Sequence, residues 1–167
     1  EGIKLIKQAL IPAFEDGANI NARAHMLVAA AMGATAFQKG LGAMHSMSHP
    51  CGAVLDAHHG LTNAIVMPYV LMFNRAQISD TLTETSRYVG LKEASFEGFL
   101  SWVLELREQL NVPHTLADLK VTEELIPTLA AQAVIDPTAS TNPRELTLGA
   151  AEELFRRALT GDLSSFE

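Results

Sequence analysis

The sequence predicts an all-helical fold, a bundle of helices in one domain, 1–167. Apolar residues recur at helical spacing in several segments, and nowhere do four or more residues alternate convincingly as a half-buried strand would. Gly, Pro and Asn stand between these segments, where helices begin and end. The content of 48% apolar and 19% charged residues is typical of a compact globular chain. The length of 167 residues favours a single domain.

The first two helices are predicted from apolar stripes and caps. The first stripe consists of Ile3, Leu5, Ile6, Leu10 and Phe14 and ends near Asp16. Asn19 or Asn21 can cap a second helix, which runs to about Lys39 with Gly40 beyond it. The segment 26–37 is rich in small residues and has no charged residue over its twelve positions. It is too short to cross a bilayer, which takes ~20 apolar residues, so we expect a buried helix at the centre of the bundle.

The rest of the chain also reads as helices. They are predicted at 61–74, with Pro68 causing a kink or a fresh start, at 81–89, at 96–110, from Thr122, and at 147–159. Gly90 ends the helix at 81–89, and 111–113 ends the next one. A loop rich in Pro, Thr and Ser occupies 136–144.

Four of the six histidines lie within fifteen consecutive residues: His45, His49, His58 and His59. Imidazole is the commonest protein ligand for transition metals. His45 and His49 lie four apart, on one face of a helix. Pro50 and Gly52 are expected to break or redirect that helix, so that a following helix would return His59 towards His45. Such a pair can ligate a metal ion, although hydrogen-bonded core histidines remain the alternative.

The same residues carry a family resemblance. They read Gly42-Ala43-Met44-His45, then His49-Pro50-Cys51-Gly52-Ala53, then His59-Gly60-Leu61-Thr62-Asn63-Ala64-Ile65-Val66-Met67-Pro68. This order is similar to the signature of the iron-containing (group III) alcohol dehydrogenases. Residues 69–74 and the turn Asn142-Pro143-Arg144 also resemble that family. The resemblance covers essentially the whole chain but only the C-terminal half of a family member, and it implies the dehydroquinate-synthase-like helical domain.

The resemblance implies a two-domain enzyme with half of its metal site in this chain. In the family, an N-terminal α/β domain holds the nicotinamide cofactor, NAD or NADP, through a glycine-rich loop. One Asp and three His hold the metal, which is Fe²⁺ by analogy, with Zn²⁺ as the alternative. His45 and His59 match two of the histidines. The other two ligands come from an Asp-x-x-x-His helix upstream, and no such motif occurs between Glu1 and His45. The chain also lacks an initiator Met and opens directly on an apolar segment. We therefore expect a fragment that is inactive alone and binds iron weakly or not at all.

The resemblance also assigns the reaction and a catalytic residue. It implies hydride transfer between a nicotinamide and a small alcohol, which becomes an aldehyde or ketone. His49 resembles the histidine at the nicotinamide end of the cleft, so it is the candidate catalytic and cofactor-binding residue, a proton relay. The alternative is a helix-end histidine bonded to a carbonyl. Asp56 is either a partner that orients an imidazole or a loop cap.

Other reactive side chains look structural. Cys51 is expected to be a small buried side chain rather than a nucleophile, because no base is evident nearby. His58 is expected at the surface, and His25 and His114 lie outside the cluster. The stretch 40–42 is not a phosphate-binding loop, because no strand precedes it and no G-x-G-x-x-G pattern follows.

Charge and composition restrict the partners. A formal charge of −7 disfavours nucleic acid. One cysteine excludes an internal disulfide and fits a reducing compartment, so a cytoplasmic location is expected. No membrane partner is expected, because the apolar run 26–37 is too short to span a bilayer. The expected partners are a small alcohol or aldehyde substrate and the chain's own N-terminal domain, and a homo-oligomer is left open.

The sequence leaves two other functional classes open. An HD-type metal-dependent phosphohydrolase is also helical and rich in histidine, but it needs an adjacent His-Asp pair, and no histidine here is followed by Asp. A non-catalytic helical interaction module is the other alternative.

Overall fold

The computed structural model describes residues 1–166, and these form seven α-helices joined by turns and short 3₁₀ segments. The helices are α1 (Gly2–Glu15), α2 (Ile20–Ala36), α3 (Ala43–Leu55), α4 (His59–Val89), α5 (Phe96–Gln109), α6 (Ile126–Ile135) and α7 (Leu148–Thr160). No strand occurs in the described residues, which confirms the all-α prediction. None of the helices within 1–166 combines the length and the apolar character needed to span a membrane.

The chain divides into two compact units. One consists of Glu1–Gly40 with Ser79–Leu110, and the other of Leu41–Ile78 with Asn111–Glu167. Helix α4 therefore contributes its second part to the first unit and its first part to the second unit.

Helix α2, in the first unit, is far more exposed than the sequence predicted. It packs against α1, and its buried residues are Ala22 and Ala29. Leu27 is 75% exposed and Ile20 is 72% exposed. The expectation of a buried central helix was therefore wrong for this structure. Small residues do permit close approach, but composition alone does not say on how many sides a helix finds a neighbour.

Helix α3, in the second unit, is not broken at Pro50 or Gly52. It continues to Leu55 and ends at Asp56, whose backbone adopts the left-handed conformation with φ of 53°. Proline removes one helical hydrogen bond. However, Met47 and Cys51, on either side of Pro50, are fully buried in the core of this unit. Their packing keeps the helix continuous.

Helix α4 also continues through its proline. Pro68 lies inside a helix of 31 residues, and its side chain is fully buried. The predicted separate helix at 81–89 is therefore the last part of α4, whereas its predicted end at Gly90, with φ of 70°, is confirmed.

The predicted helix ends are otherwise close to those observed. The side chain of Asn19 accepts a hydrogen bond from the backbone N–H of Ala22 and so caps α2. Thr147 caps α7 in the same way. Pro127 lies in the first turn of α6, where its missing N–H costs no helical hydrogen bond.

One amide side chain, that of Asn142, joins α3 to α4 within the second unit. Its Oδ1 accepts from the backbone N–H of Ala43 at 3.1 Å, at the start of α3. The same oxygen accepts from Asn74 on α4 at 3.0 Å, and Asn142 Nδ2 donates back to Asn74 Oδ1 at 2.7 Å. A Cβ at Gly42, whose φ is 92°, would lie 3.0 Å from Asn142 Oδ1. The close approach of Asn142 therefore favours glycine at position 42.

A histidine cluster as the candidate functional site

Three imidazoles of the signature meet in the second unit. His45 and His49 lie one turn apart on α3, and His59 is the first residue of α4. The ring centroids of His45 and His59 are 5.3 Å apart, those of His49 and His59 are 5.5 Å apart, and those of His45 and His49 are 6.0 Å apart. The convergence of His59 on His45 is as the spacing predicted, although α3 reaches it without a break.

The distance between His45 and His59 suits a shared metal ion. Two imidazoles that bind one ion tetrahedrally at ~2.1 Å have ring centroids roughly 5 Å apart. Within residues 1–166, however, no group of three or more His, Cys, Asp or Glu side chains is arranged to hold a metal. In addition, the Oδ1 atom of Asn63, whose amide nitrogen contacts His59, is buried without a hydrogen-bond partner. The described residues therefore fit part of a metal site.

The electrostatics favour a neutral ring at His45. Partial burial lowers the pKa of His45, and the neighbouring rings of His59 and His49 lower it further, whereas Asp136 acts in the opposite direction. A neutral imidazole keeps the lone pair that a metal ligand needs.

His49 is held by a carboxylate. Its Nδ1 lies 2.8 Å from Oδ2 of Asp136, in the segment that follows α6. Burial raises the pKa of Asp136, but hydrogen bonds from Thr138 and His49 lower it by more, so it lies below its ordinary value. Because the ionised carboxylate can only accept, His49 Nδ1 carries a proton. In the neutral ring the lone pair is then on Nε2.

His59 has hydrogen-bond partners at both ring nitrogens. Its Nδ1 lies 3.0 Å from the hydroxyl oxygen of Ser48 on α3. Its Nε2 lies 3.0 Å from Nδ2 of Asn63, one turn further along α4. The ring is therefore fixed by one neighbour from each of the two helices.

The remaining predicted residues take structural positions. Asp56 is the C-cap of α3, which is the loop-cap alternative. His58 is exposed, and its Nδ1 accepts from the backbone N–H of Leu61 at the start of α4. Cys51 is fully buried, and burial raises the pKa of its thiol to about 12, as expected for an inert side chain. His25 and His114 are exposed.

The sequence reasoning missed three residues that contact the cluster: Asp136, Ser48 and Asn63. Asp136 lies 87 positions from His49, and no local spacing could pair them. Ser48 and Asn63 stand inside the signature, but serine and asparagine are common in helices and turns. Asn63 at four residues from His59 was the one available signal, because residues four apart share a helical face.

Comparison with known proteins places the chain in a family. Residues 1–159 match the family model for the Fe-containing alcohol dehydrogenase family, C-terminal. The chain is 38% identical over 142 residues to a 4-hydroxybutyrate dehydrogenase of Cupriavidus necator, covering 80% of this chain and 37% of that protein. It is 31% identical over 167 residues to an NAD-dependent methanol dehydrogenase of Bacillus methanolicus, covering 95% of this chain and 44% of that protein.

A solved structure shows the same fold. A 1,3-propanediol oxidoreductase superposes with a TM-score of 0.89 at 29% identity, covering 95% of this chain and 43% of that one. The chain thus spans less than half the length of each of these relatives. The family model, the relatives and the fold agree: the chain belongs to the iron-containing alcohol dehydrogenase family, and it matches the C-terminal part of that family's proteins.

Proposed function

We propose that residues 1–167 are the metal-binding C-terminal domain of a longer nicotinamide-dependent alcohol dehydrogenase. In that enzyme a small alcohol and its aldehyde or ketone are interconverted by hydride transfer. The names of the relatives, which include a 4-hydroxybutyrate dehydrogenase and a methanol dehydrogenase, support a small hydroxyl substrate. The remaining metal ligands and the nicotinamide site would come from an N-terminal domain.

The observation that carries this proposal is the meeting of His45, His49 and His59 in a chain of this family. His45 and His59 are the proposed metal ligands. A divalent ion there, iron by family and zinc as the alternative, would supply a Lewis acid for the substrate oxygen, and the nicotinamide would exchange the hydride.

His49 is the proposed proton relay, because it resembles the histidine at the nicotinamide end of the family's cleft. In alcohol oxidation, the proton of the substrate hydroxyl would pass to Nε2 of His49, because Nδ1 already carries a proton held by Asp136. The positive charge that forms on the ring would then lie against the Asp136 carboxylate. The reverse transfer serves reduction. Asp136 therefore orients the ring and stabilises its charged form.

The coenzyme, the compartment and the assembly are part of the proposal. One relative is named for NAD and another, a butanol dehydrogenase of Clostridium saccharobutylicum, for NADPH, so either nicotinamide is compatible with it. A single buried cysteine supports the proposed cytoplasmic location. Assembly into a homo-oligomer stays open within the proposal.

Metal titration of the chain tests the proposed ligands. We expect weak binding of Fe²⁺ under anaerobic conditions or of Zn²⁺, measured by calorimetry and by the shifts of imidazole NMR signals. His45→Ala and His59→Ala should each abolish it. His25→Ala is the matched control, because His25 is exposed and lies outside the cluster. Tight one-to-one binding by the chain alone would contradict a partial site, and binding unaffected by either substitution would contradict the ligand assignment.

Activity of the longer protein tests the reaction. With NAD or NADP and a panel of small primary alcohols, we expect turnover that His45→Ala removes and His25→Ala leaves unchanged. Absence of nicotinamide-dependent turnover with every alcohol and aldehyde would refute the proposed function.

A further inference from the structure

The hydroxyl of Ser48 contacts His59 twice. Its Oγ lies 3.0 Å from the ring Nδ1 of His59 and 3.3 Å from the backbone carbonyl oxygen of the same residue. Ser48 is 1% exposed, on the buried side of α3. Water therefore has little access to the serine, and both of its contacts go to one histidine.

These contacts restrict where the proton of His59 lies. A carbonyl oxygen can only accept a hydrogen bond, so the Ser48 hydroxyl donates its single proton there. The lone pairs of the same hydroxyl oxygen would then face Nδ1, and Nδ1 would be the donor. This arrangement would place the proton of the neutral ring on Nδ1 and the lone pair on Nε2.

The contact at the other ring nitrogen, Nε2, agrees with this arrangement. Nδ2 of Asn63, which can only donate, lies 3.0 Å from Nε2. A protonated Nε2 would place two donors against each other. The two hydrogen bonds, from different helices, therefore describe the same tautomer.

We propose that Ser48 is a positioning residue that holds the proton of His59 on Nδ1 and so keeps the lone pair on Nε2, where a metal ion would replace the contact with Asn63. This inference rests on the proposed function only in taking a metal ion as the group that His59 binds. A metal-bound histidine commonly donates its other ring N–H to a fixed acceptor, which sets the tautomer and raises the ligand's basicity. In this chain the acceptor is a buried serine hydroxyl supplied by the helix that carries His45.

Nitrogen NMR of ¹⁵N-histidine-labelled chain without metal is the direct test, because protonated and unprotonated ring nitrogens have widely separated shifts. We expect His59 in the wild type to carry its proton on Nδ1. In Ser48→Ala the population should move towards protonation at Nε2. Ser46→Ala is the matched control. Ser46 is also on α3 and fully buried, but its hydroxyl donates to the Ala43 carbonyl. It should leave His59 unchanged.

A wild-type His59 protonated on Nε2 overturns the inference without any substitution. An unchanged tautomer in a folded Ser48→Ala variant, with folding checked by its amide spectrum, overturns it as well.

Titration with Zn²⁺ alone separates this inference from the proposed function. We expect Ser48→Ala to weaken Zn²⁺ binding ~10- to 100-fold, as loss of a ligand's outer partner does, and Ser46→Ala to leave it unchanged. Zn²⁺ binding that His59→Ala leaves unchanged contradicts the ligand assigned in the proposed function, whereas a tautomer change in Ser48→Ala still supports the positioning of the His59 proton. Equal Zn²⁺ affinity in wild type and Ser48→Ala, with an unchanged tautomer, overturns the positioning role alone.

Discussion

The substitution Asp136→Asn isolates the hydrogen bond that holds His49. Oδ1 of Asp136 accepts from the backbone N–H and the hydroxyl of Thr138, at 2.8 and 2.6 Å, whereas Oδ2 faces Nδ1 of His49 at 2.8 Å. An asparagine can keep its oxygen on Thr138. Its amide nitrogen then replaces Oδ2 and opposes the Nδ1 proton. The imidazole must change its tautomer or turn away, while the turn at residue 138 keeps its contacts.

The expected loss of stability follows from this geometry. A hydrogen bond to a charged group contributes about 1.5–3 kcal/mol. The side chain of His49 is 41% exposed and that of Asp136 is 14% exposed. Solvent screening therefore places the contribution of this hydrogen bond at the lower end of that range. We expect the free energy of unfolding to fall by about 1–2 kcal/mol at neutral pH. The folded state lowers the pKa of Asp136 from 3.8, so its stabilising effect is complete above that value. The effect is lost as the pH falls through the lower pKa of the folded state.

Urea denaturation of both proteins from pH 7 down to pH 3 measures the effect, and nitrogen NMR reports the His49 tautomer. Asp56→Asn is the matched control. Asp56 is exposed and lies between the signature histidines His49 and His59 in the sequence. Its backbone is in the left-handed conformation, which asparagine tolerates. It should leave stability and His49 unchanged. If Asp136→Asn is as stable as the wild type and His49 still carries its proton on Nδ1, the carboxylate does not hold the ring.

Three further outcomes are expected. Burial raises the pKa of Cys51 to about 12, so at pH 8 a thiol reagent followed by absorbance should react only as fast as the chain unfolds. Gly98→Ala should destabilise the chain strongly in urea denaturation, because a Cβ there would clash with the backbone carbonyl group of Glu93. Gly149→Ala, where a Cβ would meet nothing within 4 Å, should be neutral or stabilising. We expect the exposed apolar residues of α2 to cause self-association, and replacing Leu27, which is 75% exposed, by Lys should reduce that association in light scattering.

Each of these outcomes can fail. Rapid labelling of Cys51 in the folded chain would contradict its burial. Equal stability of the two alanine variants would contradict the close approach at residue 98. Unchanged scattering after the Leu27 substitution would show that the apolar face of α2 does not drive association.

Helix content and the meeting of two imidazoles could be predicted because both depend on short-range pattern. His45 and His49 share a helical face because they are four residues apart. The signature adds His59, which the following helix was predicted to return towards His45. The continuity of α3 and α4 could not be read in the same way. Pro50 and Pro68 are unfavourable inside a helix locally, and burial in the core overrides that cost. Only the assembled fold shows how deeply these positions are buried.

The partners of the imidazoles were beyond the reach of sequence reasoning for a related reason. Asp136 comes to His49 only because α6 packs against α3. The exposure of α2 was missed because its alanines are compatible with one neighbour or several. Patterns of spacing report which side chains share a face, but they do not report what that face meets.

The amide of Asn142 has a consequence for any redesign of this chain. Through its hydrogen bonds to Ala43 and Asn74 it fixes the position of the start of α3 relative to α4. These two helices carry all three imidazoles of the cluster. Tuning the gap between the imidazoles therefore need not involve the imidazoles. A change at Asn142 would shift the start of α3 relative to α4, and the imidazoles would move with the helices that carry them.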